Sequence, residues 1–153
     1  MALEPKSLKA SNQIDINKKW PNLKHGSYKL TSPETNDYNC VAWAKGLDND
    51  WIDLYYQYEE GEVPDHSGVK YSKLFESDGY VICDLPNIAN GFEKLAIYVD
   101  PNNEFTHVAR QLTNGKWTSK LGDFEDIEHE DLDILAGGLY GQHRIYMKRK
   151  TRT

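Results

Sequence analysis

Cys40 lies in the run Asp37-Tyr38-Asn39-Cys40-Val41-Ala42-Trp43-Ala44, which reads as the start of a short apolar helix. The thiolate, not the thiol, attacks a carbonyl, and the unpaired N–H groups of a first helical turn favour the ionised sulfur. The same groups can donate to an oxyanion, and Asn39 offers a further donor. A free cysteine is also a good small apolar core residue, so the segment alone supports both a chemical and a packing role. A nucleophile needs a base, and five histidines are available: His25, His66, His107, His129 and His143. His25, His66 and His143 sit beside Gly or Ser or within a turn, which suits a surface. His129 lies in an acidic run whose carboxylates are expected to keep it charged. His107 opens a strand directly after a turn, so it can point to the end of a sheet where a helix start docks. The expected dyad is Cys40 with His107.

The elements that must hold these residues follow from spacing. Residues 1–19 are polar and aperiodic and are expected to form a lead-in, and 20–35 read as loop. Asn36 and Asp37 offer N-cap chemistry, and Gly46 ends the helix that carries Cys40. Residues 51–58 are ambiguous between helix and strand. Tyr71, Leu74 and Phe75 have helical spacing closed by Gly79, and Tyr80–Cys83 reads as a strand. Strands are expected over 94–99, 105–112 and 116–121, with Asn114-Gly115 as a two-residue type I′ turn. That turn would set Arg110 opposite Ser119 and send Lys120 to the other face. The acidic stretch 123–133 is expected to contain a short exposed helix capped by Asp126, and Arg144–Met147 reads as a last strand. Residues 148–153 read as a basic tail. A helical first half followed by a strand meander is an α+β arrangement.

The totals narrow the function. A chain of 153 residues suits one domain. A net charge of −6 argues against nucleic-acid binding, which needs a basic surface. No segment reads as a signal peptide or a membrane span, so a cytoplasmic protein without a membrane partner is expected, unless a specialised route exports it. There thiols stay reduced, which disfavours a Cys40–Cys83 disulfide. Cys40, Cys83, His107 and His129 lack metal-ligand spacing, so neither metal nor cofactor is expected.

Cys40 followed by a strand-start His107 and a hairpin resembles the papain-like cysteine hydrolases, nearest in rhythm to the NlpC/P60-type branch. In that branch a third polar residue on the returning strand orients the histidine. Ser119 falls at that place, where the branch usually has histidine, asparagine, glutamine or an acid, and Asp123 or Asp126 is the alternative. The chain is also similar to an uncharacterised bacterial domain family, through Tyr38–Ala44, Ala109–Gln111, Gly115–Gly122 and Asp126–His129. That likeness covers residues 20–147 and draws attention to Arg110, Lys120, Asp126 and His129. The resemblance implies a papain-like α+β domain. It also implies a cysteine-dependent hydrolase or acyl transferase acting on an amide or ester of a protein or peptide. The alternative is a non-catalytic protein-binding domain on the same scaffold, for which the abundance of Trp and Tyr is suited.

Overall fold

The computed structural model describes residues 19–23, 28–32, 38–46, 67–121 and 126–151. The expectations for the lead-in up to residue 18, for His25, Asn36, Asp37 and His66, for 51–58 and for Asp123 lie outside the described residues. Among the described residues seven strands are present: β1 (Tyr28–Ser32), β2 (Val81–Cys83), β3 (Phe92–Val99), β4 (Phe105–Gln111), β5 (Trp117–Lys120), β6 (Asp126–His129) and β7 (Gln142–Lys150). Helices α1 (Cys40–Ala44) and α2 (Gly68–Glu76) accompany them, with a 3-10 turn over Asp133–Leu135. The strands form one sheet in the order β1-β6-β5-β4-β3-β7-β2, and each pairing is antiparallel.

This corrects the α+β, papain-like expectation: the described chain is dominated by a seven-stranded antiparallel sheet with two short helices on one face. Two segments account for the difference. Tyr28–Ser32, expected as loop, pairs with β6, and the acidic residues 126–129, expected as helix, form β6 itself. Asp126 therefore opens a strand between two neighbours and caps no helix. Arg144–Met147 is the middle of a nine-residue strand that also takes in Lys148, Arg149 and Lys150 of the expected tail.

The sheet is apolar on both faces. On the helical face, Leu95, Ile97, Val99, Val108 and Met147 pack with Val41, Ala44, Phe75 and Tyr80. On the other face, Ala96, Tyr98, Ala109, Trp117 and Ile127 pack with Trp20, Leu23 and the segment Leu132–Tyr140. A strand covered on both sides needs apolar residues in succession, not alternation. That explains the run Leu95-Ala96-Ile97-Tyr98-Val99 in β3, buried throughout.

Local chemistry sets the helix positions. Asn39 is the N-cap of α1, its side-chain oxygen accepting from Ala42 N at 3.0 Å. Ser67 caps α2 through Lys70 N at 3.1 Å. Gly68 lets the start of α2 approach β3 and β7, because a Cβ there would press on Val99 and Ile145. Phe75 fills the core beneath α2, and Tyr71 stacks on Phe105 at 3.9 Å.

The β4–β5 hairpin differs from the expected two-residue turn. Gly115 has φ +87° while Asn114 keeps a negative φ, and Leu112 N bonds Lys116 O at 2.7 Å across a three-residue loop. The register moves by one residue, so Arg110 pairs with Thr118 and not Ser119. A one-residue change swaps faces: Arg110, Thr118 and Lys120 now share one face. Among the described residues no helix is long and apolar enough to cross a membrane.

Gly141 closes the turn into β7 with φ +70°, and a Cβ there would overlap the Val99 carbonyl oxygen. Gly91 also has positive φ (+81°) but faces open space. Gly141→Ala is expected to cost about 2 kcal/mol or more in urea unfolding, against about 1 kcal/mol for Gly91→Ala. Equal losses would contradict the packing of that turn.

Candidate functional site

The alternation of β4 decides which expected site residues meet. Val108 and Arg110 point to the helical face, where Val108 packs with Val41 and Ala44 and Cys40 lies against the same cluster. His107 points the other way and stacks flat on Tyr140, at 4.2 Å and 5° between planes. The structure does not bring Cys40 and His107 to one side of the sheet, so the expected dyad is not assembled. The eight residues singled out from sequence divide into two groups. Cys40, Asn39, Arg110, Lys120 and Asp126 belong to the helical face; His107, Ser119 and His129 belong to the other.

On the helical face, α1 presents Cys40 as its first residue, partly buried against β4. Burial pushes the Cys40 thiol up to about 11. The backbone N–H groups of Val108, Val41 and Cys40 pull the other way, and so does the charge of Lys120. Asn39 is committed to the helix cap through its side-chain oxygen. Lys120 is fully buried and sits opposite Asp126, which is equally buried, across β5 and β6. Tyr38 joins them: its hydroxyl donates to Asp126 Oδ2, and Lys120 Nζ lies 5.2 Å from its ring centre. Tyr38 stacks on Trp43 at 5.3 Å, Trp43 Nε1 donates to Thr118 Oγ1 at 3.0 Å, and the Arg110 guanidinium covers the Trp43 ring at 5.5 Å. Cys40 therefore stands beside a buried cluster of Lys120, Asp126 and Tyr38, roofed by two aromatic rings that each carry a cation. Tyr38, Trp43 and Thr118 were not picked out as site residues. Tyr38 and Trp43 flank the cysteine in the sequence at intervals that put them over one strand pair, which is the signal that points to them.

On the opposite face Ser119 and His129 meet, not Ser119 and His107. His129 Nδ1 lies 2.8 Å from the Asp131 carbonyl oxygen, which can only accept, so Nδ1 carries the proton. Nε2 then accepts from the Ser119 hydroxyl at 2.8 Å. Burial lowers His129 to about 4, so it is neutral despite the acidic run around it, contrary to the sequence expectation. His107 is fully buried, neither ring nitrogen has a hydrogen-bond partner among the described residues, and burial together with His129 holds it well below the ordinary histidine value. These three residues form a core polar group, sealed away from the thiol by the sheet. Among the described residues no three His, Cys, Asp or Glu side chains are grouped to hold a metal ion.

Two buried neutral histidines make stability depend on pH with a definite sign. Each has a folded value below its unfolded value near 6.5, so its contribution is complete above about pH 6.5 and is lost as the pH falls towards 4. With both protonating on unfolding, the free energy of unfolding should fall by at most about 2.7 kcal/mol per pH unit in that window. His107→Leu is expected to remove roughly half of this slope. A flat urea midpoint between pH 7 and 5 would contradict the burial of these rings.

The family described as Domain of unknown function (DUF7689) matches residues 29–148, a span that runs from β1 into β7 and contains both polar groups. No curated protein and no solved structure matches the chain. The chain belongs to the DUF7689 family of domains of unknown function.

Proposed function

We propose that the chain is a cysteine-dependent hydrolase or acyl transferase acting on an amide or ester bond, with Cys40 as nucleophile and Lys120, not His107, as its charged partner. What supports this reading is the place of Cys40 at the first turn of a helix, on the face of the sheet that also buries Lys120. Both favour a thiolate or an oxyanion, and an inert core cysteine needs neither. In this reading Sγ attacks the carbonyl carbon, and the N–H groups of the first turn hold the oxygen as charge develops on it. The thiol proton passes to the Asp126 carboxylate, since the Lys120 ammonium has no lone pair for it, and returns to the leaving amine or alcohol. Tyr38 holds Asp126 and supports Lys120, so it is a positioning residue. Water or an acceptor nucleophile then releases the acyl group. The substrate is a protein or peptide, and the compartment is the reducing cytosol, where a lone thiol stays available.

The height of the Cys40 value favours a second reading, a non-catalytic binding domain. A thiol pushed up to about 11 by burial is protonated at neutral pH, and among the described residues no histidine on its side of the sheet takes the proton. The two readings differ in whether an acyl group is ever carried on Cys40.

p-Nitrophenyl acetate, a small activated ester, separates them. The enzyme reading predicts a burst of nitrophenolate and an acetyl group mapped by mass spectrometry to Cys40. Its rate should rise with pH through the neutral range without a plateau, because the resting thiol ionises only near 11. Cys40→Ala is expected to abolish the burst, Lys120→Met to slow it roughly 10- to 100-fold, and His107→Gln to leave it within about twofold. Circular dichroism checks that each variant is folded. Acetylation elsewhere, or none, leaves the binding reading in its place.

A further inference from the structure

Cys83, the second cysteine, lies at the opposite side of the sheet from Cys40 and has an amine for a neighbour. It ends the edge strand β2, where it pairs with Tyr146 of β7, and Tyr146 packs on the face away from the helices. Lys94, on β3 beyond β7, reaches across to it and is almost wholly buried at 6% exposure. The Leu85 carbonyl oxygen accepts from both groups, from Lys94 Nζ at 2.9 Å and from the Cys83 thiol at 3.4 Å. That shared acceptor holds Nζ and Sγ 3.8 Å apart. Cys40 lies on the helical face, and among the described residues the nucleophile set against the Cys83 sulfur is the Lys94 amine.

The geometry points to a redox-responsive covalent pair, in which Cys83 oxidised by a peroxide is captured by the Lys94 amine as a sulfur–nitrogen bond. The chemistry balances in two steps. Hydrogen peroxide oxidises the thiol to a sulfenic acid and is reduced to water. The Lys94 ammonium then loses one proton to solvent, its nitrogen lone pair attacks Sγ, and the S–O bond breaks. Hydroxide leaves and takes up a second proton from nitrogen, as water. A backbone nitrogen is known to condense with a sulfenic acid in the same way. Here the amine is prepositioned and shielded, while the partly exposed sulfur remains open to a small oxidant. The link would tie β3 to the end of β2 and so fix the segment that carries Leu85 and Ile88, exposed at 62% and 57%. Oxidation would thereby stiffen an apolar surface segment at the sheet edge.

The test is treatment of the full chain with hydrogen peroxide, followed by intact-mass and tryptic analysis. The expected result is a loss of about 2 Da, restored by dithiothreitol, with one cross-linked peptide joining Cys83 to Lys94 and no cleavage after Lys94. Lys94→Arg keeps the charge but removes the amine, and it should turn the product into Cys83 carrying about 16 or 32 Da. Should that variant not fold, the wild-type peptide map decides alone. Cys83 found as sulfenic or sulfinic acid in the wild type, without a link, overturns the proposal. So does a Cys40–Cys83 disulfide, which also loses about 2 Da but maps to different residues.

Discussion

Strand β4 has a side chain for each face of the sheet in turn, and everything else about the molecule is arranged around that division. Val108 and Arg110 meet helix α1; His107 and Ala109 meet the segment from Leu132 to Tyr140. Because β4 is central, with three strands on each side in the sheet order, its faces are continued by every neighbour. The pairing carries the division outward: Arg110 with Thr118, then Lys120 with Asp126, on one side, and Trp117 with His129 on the other. Two chemically distinct polar groups result, separated by a hydrogen-bonded sheet that no side chain crosses.

The two groups solve the problem of buried polarity differently. On the second face the solution is neutrality: His129 is fixed as one tautomer between a serine hydroxyl and a main-chain carbonyl, and His107 is stacked on an aromatic ring. On the helical face the polar groups are an ionisable amine and a carboxyl. Lys120 and Asp126 face each other under the Tyr38–Trp43 stack, with the tyrosine hydroxyl bonded to the carboxylate. A buried lysine and carboxylate beneath an aromatic face and a phenol is a costly arrangement that hydrophobic residues often replace without loss of stability. Its presence next to a helix-start cysteine is what makes that face the candidate for chemistry. At Cys40 itself two tendencies compete: burial opposes the thiolate, and the N–H groups and Lys120 favour it. Burial wins in the resting protein, so ionisation has to be coupled to the reaction.

Much of the local structure was legible in the sequence, since it is encoded over a few residues. The helix ending at Gly46, the α2 stop at Gly79 and the strands over 94–99 and 105–111 follow from apolar spacing and glycine. What was not legible depends on partners distant in sequence. Tyr28–Ser32 has no periodicity of its own and becomes a strand because β6 offers an edge. Asp126–His129 carries charges that suit a solvent helix, yet Asp126 and His129 are buried by pairing and packing. These two strands turned an expected α+β domain into a largely antiparallel sheet. The site suffered from a smaller error with a larger effect. Asn114-Gly115 suggested a two-residue turn, but with Asn114 outside the left-handed region the loop takes three residues, and the register moves by one. Lys120 thereby changed sides and joined Arg110 and Cys40. His107 stands near a strand start, and spacing along one chain does not say which face a strand residue will take.

The central claim is that the Cys40 thiol answers to Lys120 and not to His107. The direct test is a titration of Cys40 by ultraviolet thiolate absorbance in a Cys83→Ser background, repeated with Lys120→Met and with His107→Gln. The expected midpoint lies near 11, moves upward in Lys120→Met and stays in place in His107→Gln. A midpoint at or below the ordinary thiol value of about 8.5 that moves with His107→Gln would contradict it.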